Sequence, residues 1–343
     1  MKGLVKYARG DGFVEVREVE EKPPGAKQVK IAVKATGICG SDLHILHDTI
    51  NYNIRTPVVM GHEFSGVVVE KGVEVGDEVA VGDRVTGEPS IYICGRCSFC
   101  LSEHYNLCPE RQVMGYWHDG SFAPFCNATL VHKLPDNVDF EAGALTELLA
   151  CCVHSVTEQV GVSAGDFVAV TGPGPVGLFA ALVALAEGAV VLLCGTRADV
   201  ARLRLAEELG VHYTAMVDEC DVAERVGELT GGYGADVVVE CAGVGPAMQL
   251  ALSLVRKRGR YSQMGLPGRA VEIDFEQIAY KELQISGGIG QRRPSWKRAL
   301  TLMERGLICN EKLISHQFPL GEWDRAMEMA ERQEGMKLLL RPE

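Results

Sequence analysis

The chain has little of what would indicate a disordered, fibrous or nucleic-acid-binding protein. Only 14 of its 343 residues are proline, and it contains no internal repeat and no low-complexity tract. Basic residues are also few, because 34 lysines and arginines face 46 aspartates and glutamates, for a net charge of −12. That charge repels phosphate backbones, so we expect no nucleic-acid partner. The length predicts roughly two domains that each bury a core.

A long uninterrupted apolar segment is also lacking. The first residues, from Met1 to Tyr7, offer no stretch suited to a signal peptide, which predicts a cytoplasmic protein. Residues 176–195 carry one charge, Glu187, and could be read as a membrane span on hydropathy alone. Gly188 divides them into a helix-length part and a β-branched part, which favours a buried helix followed by a buried strand. We therefore expect no membrane partner.

Cysteine, by contrast, is abundant, with 12 residues. Without an export signal these cysteines do not predict a disulfide framework, so their spacing matters. Cys94, Cys97, Cys100 and Cys108 follow a pattern that brings four thiolates around one tetrahedral ion. The alternative is chance clustering of buried thiols. A site closed by four thiolates leaves no place for substrate, so the spacing predicts a structural zinc.

The pattern of secondary structure changes near residue 150. Before it, short valine-rich runs broken by glycine and proline predict a β-rich region, with strands at 29–33, 66–69, 83–86 and 122–125. After it, strands alternate with helices, which predicts a parallel sheet. The expected strands lie at 167–171, 189–194, 235–240, 259–264 and 283–287, and the expected helices at 178–187 and 199–209. The last fifty residues are expected to pack back onto the first region.

A glycine-rich turn follows the first strand of the second region. It reads Gly172, Pro173, Gly174, Pro175, Val176, Gly177 and opens a helix. Glycines in this pattern permit a tight turn and let a pyrophosphate approach the free N–H groups of the helix N-terminus. The sequence therefore predicts a dinucleotide site, and the alternative is a structural strand-to-helix turn.

The end of the next strand bears on the choice of dinucleotide. An NAD site typically has an acidic residue there, to bind the ribose hydroxyl. Here Thr196 and Arg197 occupy that place, and Arg202 follows, an arrangement able to accept a 2′-phosphate. Asp199 could still serve as the acid, and Arg202 could instead belong to a solvated helix face. The residues favour NADP(H) over NAD(H).

Taken in order, the motifs closely resemble the zinc-dependent medium-chain alcohol dehydrogenase family. The resemblance covers essentially the whole chain and rests on residues 37–44, on 61–67, on the four cysteines, on the glycine turn and on 235–241. It implies an α/β protein with a GroES-like β-rich catalytic domain at 1–150, including a structural zinc lobe at about 90–110. A Rossmann doubly wound parallel sheet for the cofactor then spans 151–290, and 291–343 returns to the catalytic domain.

The resemblance also implies a catalytic zinc, giving two zinc ions per chain. Its ligands would be Cys39 and His62, with Glu63 and Glu147 as further candidates for the metal. Leu148 stands where the family usually places proline after the second glutamate. The family's alcohol dehydrogenase branch has a cysteine as third ligand, and its absence points to the polyol and threonine dehydrogenase branch. Cys151 and Cys152 are expected to be core residues rather than ligands.

The same resemblance assigns proton transfer to two residues of the first motif. Ser41 matches the hydroxyl that accepts the alcohol proton, and His44 passes it outward, a task that suits imidazole. For His44 the alternative is an ordinary surface histidine beside His47. Substrate-pocket residues are suggested at Ile50, Tyr52, Tyr116, Trp117 and His118.

The predicted function is transfer of a hydride between a secondary hydroxyl of a polyol or sugar alcohol and NAD(P). L-Threonine or a sugar-alcohol phosphate is the rival substrate within the family. A dinucleotide-sensing zinc interaction protein is the alternative from another class, but a sensor does not need an open metal site. The family also implies a homo-oligomer, a dimer or a tetramer.

Overall fold

A computed structural model describes residues 1–50 and 52–342. The chain divides into two compact units, one formed by residues 1–147 with 292–343 and the other by residues 148–291. We call them unit 1 and unit 2.

The described residues contain strands and α-helices in the following order along the chain. The strands are β1 (Lys2–Lys6), β2 (Val14–Glu18), β3 (Val29–Gly37), β4 (Val58–Val59), β5 (Glu63–Lys71), β6 (Arg84–Gly87), β7 (Ser90–Tyr92), β8 (Gln112–Val113), β9 (Phe125–Ala128), β10 (Val131–Lys133), β11 (Phe167–Thr171), β12 (Val190–Gly195), β13 (Tyr213–Met216), β14 (Ala235–Glu240), β15 (Val255–Gln263), β16 (Gln284–Gly287), β17 (Ile314–Pro319) and β18 (Lys337–Arg341). The helices are α1 (Gly40–Leu46), α2 (Ser98–Leu101), α3 (Phe140–Ala144), α4 (Thr146–Val153), α5 (Pro175–Ala186), α6 (Val200–Glu208), α7 (Val222–Leu229), α8 (Gly245–Leu254), α9 (Glu276–Tyr280), α10 (Arg293–Glu304) and α11 (Trp323–Glu331).

Unit 1 is built on a seven-stranded sheet. Its strands follow the order β10-β6-β5-β3-β18-β17, and β9 also pairs with β3. The long antiparallel pair of β3 and β5 places Gly37 opposite Glu63, where β3 ends and β5 begins. Apolar residues alternate along these strands, as a half-buried sheet requires, and Ile31, Phe64 and Val85 meet in one core. The pairing therefore brings two distant sequence motifs to one place.

Unit 2 contains a six-stranded parallel sheet in the order β13-β12-β11-β14-β15-β16. Its central strands carry apolar runs, at 167–170 in β11 and at 237–239 in β14, because parallel strands covered by helices are buried on both faces. The strand order reverses between β11 and β14, so their carboxyl ends form the crevice where such sheets bind ligands. The predicted fold class, a β-rich domain with a Rossmann-like doubly wound sheet, is confirmed.

Several predicted boundaries need correction. The strand expected at 122–125 begins only at Phe125, since Pro124 has no N–H for the ladder and Phe122 is buried before the strand. Helix α5 begins at Pro175 rather than 178, because proline fits the first turn of a helix. The strand expected at 259–264 spans Val255–Gln263 and has a register shift against β14.

The apolar segment 176–195 forms helix α5 and strand β12, as predicted. Gly188 lies between them at φ +86°, a conformation that favours glycine. Among residues 1–50 and 52–342, no helix is both long enough and apolar enough to cross a membrane.

Candidate active site

Three potential metal ligands meet where β3 turns into α1 and where β5 begins. The ligand atoms of Cys39, His62 and Glu63 lie within 4.8 Å of one another. Cys39 is the N-cap of α1, and His62 and Glu63 enter β5 directly opposite. A Cβ built on Gly37 would lie 2.2 Å from Glu63 Oε2, so glycine is required there for the glutamate to fold over the strand. The pairing of β3 with β5 thus builds the cluster.

Asp42 lies behind two of these side chains. Its Oδ2 accepts a hydrogen bond from the Cys39 backbone N–H at 2.9 Å, and its Oδ1 lies 3.7 Å from His62 Nδ1. Burial raises the pKa of the Asp42 carboxyl, while the positive charge of His62 opposes that shift. A carboxylate behind the distal nitrogen of a histidine is the usual partner of a metal-bound imidazole. Sequence reasoning named Asp42 in its motif but missed this role.

The protonation of His62 follows from these neighbours. Burial lowers its pKa, but Asp42 and Cys39 together outweigh burial and raise the pKa to about 10. A metal ion takes the neutral imidazole, so metal binding at this site would release a proton. Its Nε2, 3.4 Å from Ser41 Oγ, points to the same side as the Cys39 thiol.

The donor set fits zinc. One sulfur, one imidazole nitrogen and one carboxylate oxygen are ligands that zinc takes in catalytic sites, where a fourth position stays open. Glu63 Oε1 and His62 Nδ1 are both buried, and neither has a hydrogen-bond partner in the part of the chain that the structure describes. Unpartnered polar atoms are costly in a protein interior, and a metal ion among these donors would satisfy the carboxylate oxygen.

Lys337 completes the surroundings of Glu63, although the two residues are far apart in sequence. Its Nζ lies 2.5 Å from Glu63 Oε2 and donates a second hydrogen bond to the Ile38 carbonyl. Burial lowers the pKa of this lysine, and the charges of Glu63 and Cys39 outweigh burial and raise it. Lysine at the start of the apolar strand β18 was the only sequence signal, and sequence reasoning missed it.

Glu147, the other predicted carboxylate, is buried at the start of α4. Its charge acts on His62, Tyr116 and Lys337, so it faces the same region. It does not belong to the group of three described side chains whose ligand atoms lie within 4.8 Å of one another.

Ser41 and His44 lie one helical turn apart on α1, so both side chains project from the same side of the helix. Ser41 is beside His62 and hydrogen-bonds the phenol of Tyr116. His44 is exposed, and its Nδ1 lies 2.9 Å from Thr49 Oγ1. The helix therefore carries polar groups from the buried cluster to the surface.

Of the five suggested pocket residues, Tyr116 has a ring that packs against His62 of the candidate metal site. Its ring centroid lies 5.8 Å from that of His62, and burial raises its pKa well above the usual value. Tyr52 packs edge-on against Tyr116 at 6.1 Å. His118 instead bonds Gln112 and lines a separate cavity of about 630 Å³ with Trp117. Ile50 packs against the core beneath α1.

The four cysteines of the predicted lobe come together as their spacing indicated. The sulfur atoms of Cys94, Cys97, Cys100 and Cys108 all lie within 4.8 Å of one another. Backbone N–H groups of Cys94, Cys97 and Cys100 each donate to a neighbouring sulfur at 3.4 Å. Hydrogen bonds from the Arg96 and Cys97 backbones lower the pKa of Cys94 to about 6, which favours the thiolate that zinc binds. The arrangement fits a closed zinc site.

In unit 2 the glycine turn connects β11 to α5. Gly172 has φ +88°, and a Cβ on Gly177 would lie 1.8 Å from the Gly172 carbonyl, so neither position admits another residue. A Cβ on Gly174 would meet nothing within 4 Å, which leaves open space over the helix N-terminus. Among residues 1–50 and 52–342, no side chain forms a capping hydrogen bond at that end of α5, so its first N–H groups are available for a phosphate.

The end of β12 carries the predicted specificity residues. Thr196 donates two hydrogen bonds to Asp199 Oδ2, at 3.0 Å from its N–H and 2.8 Å from its hydroxyl. Arg202 pairs with the same carboxylate at 3.6 Å. Arg197 is largely exposed, and its Nε lies 3.1 Å from Glu219 Oε1. The Asp199 carboxylate is thus hydrogen-bonded within its own turn, whereas the Arg197 side chain is largely exposed.

Comparisons with known proteins agree with this architecture. Residues 25–136 match the model of the alcohol dehydrogenase GroES-like domain, and residues 175–305 match that of the zinc-binding dehydrogenase. A sorbitol dehydrogenase from Halalkalibacterium halodurans is 44% identical over 345 residues, covering 100% of this chain and 99% of that protein. A D-arabitol-phosphate dehydrogenase from Enterococcus avium is 38% identical, with 99% and 97% covered.

Two further proteins extend the comparison. An L-threonine 3-dehydrogenase from Bacillus velezensis is 33% identical, with 100% of this chain and 99% of that protein covered. A crystal structure of a zinc-binding dehydrogenase from Sinorhizobium meliloti 1021 bound to NADP has a TM-score of 0.89 and 33% identity, covering 99% of both chains.

Fold, metal-ligand cluster and glycine turn together define a zinc-type, nicotinamide-dependent dehydrogenase. The chain belongs to the zinc-dependent medium-chain alcohol dehydrogenase family. The predicted family and enzyme class are confirmed, and zinc and NAD or NADP are the cofactors of this class.

Proposed function

We propose that this enzyme oxidises a secondary hydroxyl of a polyol or sugar alcohol, and reduces the corresponding ketone in the reverse direction. The cluster of Cys39, His62 and Glu63 carries the proposal, since it offers one thiol, one imidazole and one carboxylate, and the family resemblance places a glutamate after the histidine in the polyol and threonine dehydrogenase branch. These three residues would hold a zinc ion, which would supply Lewis acidity to lower the pKa of the substrate hydroxyl. The relatives named for sorbitol and arabitol phosphate support this substrate class.

The chain's own residues have separate tasks at this site. Asp42 fixes Cys39 and His62, and Lys337 holds one oxygen of Glu63 so that the other oxygen faces the cluster. Ser41 accepts the substrate proton, and His44 releases it at the surface through the face of α1. Tyr116 covers the cluster with an apolar ring and so limits access of water. Glu147 is the further carboxylate available to the metal.

The dinucleotide is proposed to bind unit 2 with its pyrophosphate over Gly174 and the N-terminus of α5. When bound, it accepts the hydride at its nicotinamide. We propose NADP(H) as the preferred form, because Arg197 is exposed at the end of β12 while Asp199 is bound to Thr196. Arg202 would support the 2′-phosphate from the next turn. The NADP-bound structure of similar fold supports this preference.

The proposed domain organisation follows from these tasks. Residues 1–147 with 292–343 form the catalytic domain, which includes the four-cysteine lobe, and residues 148–291 bind the cofactor. The lobe holds a second, structural zinc, so each chain would bind two zinc ions.

A homo-oligomer is part of the proposal. In unit 2 the edge strand β16 leaves backbone groups unpaired, and a second copy could pair with them. Ile285 of this strand is exposed, as are other large apolar side chains between residues 266 and 289, namely Leu266, Phe275, Tyr280 and Ile289. Light scattering coupled to size exclusion would give the state, and I285K is expected to shift it toward the monomer.

The deciding experiment is a rate measurement at the reduced-nicotinamide absorbance band. The panel contains polyols, polyol phosphates, simple secondary alcohols and L-threonine, each with NADP and with NAD, before and after removal of zinc by a chelator. Chelator-sensitive turnover of a polyol is the expected result. If the enzyme prefers L-threonine or a phosphate ester, the proposed substrate class is wrong, but the proposed metal site still holds. No turnover in a protein that retains two zincs and binds dinucleotide would favour the sensor.

A further inference from the structure

One buried carboxylate in unit 2 takes part in neither the metal site nor the glycine turn. Glu240 is the last residue of β14 and is fully buried. It lies at the carboxyl edge of the sheet, directly opposite Thr171, the last residue of β11. A buried carboxylate is unfavourable unless several donors satisfy it, so its partners show what it holds in place.

The donors come from three strand ends. Glu240 Oε1 accepts from the backbone N–H groups of Ala242 and Gly243 at 2.8 and 3.0 Å. Its Oε2 accepts from Gln263 Nε2 at 2.6 Å, at the end of β15. Thr171 Oγ1 adds a longer bond of 3.4 Å from the end of β11. One side chain thus joins the ends of β11, β14 and β15.

The loop at 241–243, to which Glu240 is hydrogen-bonded, packs closely against the glycine turn. A Cβ on Gly172 would lie 2.7 Å from the Ala242 nitrogen, and a Cβ on Gly265 would lie 2.3 Å from the Gly243 nitrogen. The backbone of the loop at 241–243 therefore lies directly against the backbone at Gly172 and at Gly265. The position of the loop therefore helps to set the shape of the crevice between β11 and β14.

The two halves of a dinucleotide occupy opposite sides of this crevice. The adenosine ribose binds at the end of the second strand, here β12, and the pyrophosphate lies at the first turn. The nicotinamide half therefore extends across the switch point toward the ends of β14 and β15. Glu240 lies on that side.

We propose that Glu240 is a positioning residue for the nicotinamide half of the cofactor: it fixes the loop at 241–243 against the glycine turn and so preorganises that part of the crevice. The inference rests on the proposed dinucleotide binding and extends it. It predicts that loss of the Glu240 carboxylate weakens binding of the whole dinucleotide but not binding of its adenosine half.

Glutamine at this position keeps the size but introduces an NH₂ group among donors. Gln263 cannot rotate its amide to accept from that group, because its Nε2 also donates to the Gly265 carbonyl and its Oε1 accepts from the Tyr261 hydroxyl. The Glu240→Gln protein should therefore release the loop even when the sheet remains folded.

The test compares fluorescence titrations of the zinc-loaded enzyme with NADH and 5′-ADP, and with NADPH and 2′,5′-ADP. For E240Q we expect at least a tenfold rise in Kd for the preferred reduced dinucleotide and less than a twofold change for its adenosine fragment. Q263M removes one of the donors to Glu240, together with the bonds of Gln263 to Gly265 and Tyr261, and should shift Kd in the same direction by a smaller factor. Q263M also serves as the test if E240Q does not fold.

Asp236→Asn provides the matched control. Asp236 lies on the same strand at its other end, where it accepts from the Phe167 N–H and pairs with Arg256. It should lower the thermal midpoint without changing either Kd. Equal weakening of dinucleotide and fragment by E240Q, or no weakening of either, would overturn the inference. If the unmodified enzyme binds no dinucleotide, it is the proposed function that fails.

Discussion

Lys337 Nζ lies 2.5 Å from Glu63 Oε2, and both side chains are almost completely buried. The pair links strand β18 to the start of β5 and leaves Glu63 Oε1 unpartnered on the other side of the carboxylate. One oxygen of the Glu63 carboxylate thus binds Lys337, and the other is available to the proposed metal.

Replacement of Lys337 should therefore affect stability differently in the metal-free and the zinc-bound protein. K337M leaves a buried carboxylate without its partner, which typically costs about 3–5 kcal/mol of folding free energy. We expect that loss in the metal-free protein and a clearly smaller loss with zinc bound, because zinc compensates the same charge. Denaturant unfolding with and without zinc measures both values. The double variant E63Q/K337M is the control and should regain much of the metal-free loss; equal losses in both metal states would contradict the argument.

The two cysteine sites should respond differently to substitution. Cys97→Ser removes one thiolate of the closed site. The variant should bind one zinc ion fewer per chain and should unfold at a lower temperature. Cys39→Ser should also reduce bound zinc but abolish turnover with the fold intact. Metal analysis and circular dichroism on both variants check this. The reverse pattern would exchange the two assignments.

The choice of cofactor can be tested at Arg197. A guanidinium that binds a 2′-phosphate contributes about 1.5–3 kcal/mol, so R197A should raise KM for NADP roughly tenfold or more. KM for NAD should change less than about twofold, since NAD lacks that phosphate. Arg204, exposed on α6, provides the control R204A. An equal rise for both cofactors would argue against the preference for NADP.

A surface histidine should make stability depend on pH. Hydrogen bonds to Asp11 and Glu331 raise the pKa of His47. Its contribution is therefore complete below the pKa of a free histidine, about 6.5, and is lost as pH rises through the higher folded value. Compared with H47Q, the native protein should have its largest excess in thermal midpoint well below pH 6.5 and lose it progressively as the pH rises above that value. A constant difference across that window would show that the charge of His47 is not involved.

Tyr105 connects the cysteine lobe to a buried glutamate. Its hydroxyl donates to Glu88 Oε2 at 2.8 Å, while His132 lies 3.0 Å from Glu88 Oε1 and stacks on Trp296. Y105F removes a donor from a buried carboxylate and should cost about 1.5–3 kcal/mol of stability. Exposed Tyr92 gives the control Y92F, expected to change stability by less than about 0.5 kcal/mol. Urea unfolding compares the two.

The sequence predicted the elements whose signal is local. Strands β11 and β14 were predicted at their observed residues because each contains a short apolar run that ends at a polar residue. The cysteine cluster also follows from spacing alone. The prediction of a strand at 122–125 was wrong because it rested on the apolar residues and neglected Pro124. Proline has no N–H for the sheet, and the strand begins at Phe125.

The contacts that complete the site could not be predicted in the same way. Lys337 reaches Glu63 across 274 positions of sequence, and only the pairing of β18 with β3 brings the two together. Asp42 and Glu240 were visible as residues, but their partners depend on the register of neighbouring strands. A carboxylate in a sequence shows a charge and not the groups that surround it.

The place of β18 in the sheet also constrains how the protein is made. Strand β18 pairs with the Thr36–Gly37 end of β3, yet residues 148–291 are translated between these two strands. A nascent chain therefore holds β3 with part of one edge open while the whole of unit 2 is synthesised. Lys337 reaches the buried carboxylate of Glu63 only after that interval, so the ion pair forms late on the ribosome or after release.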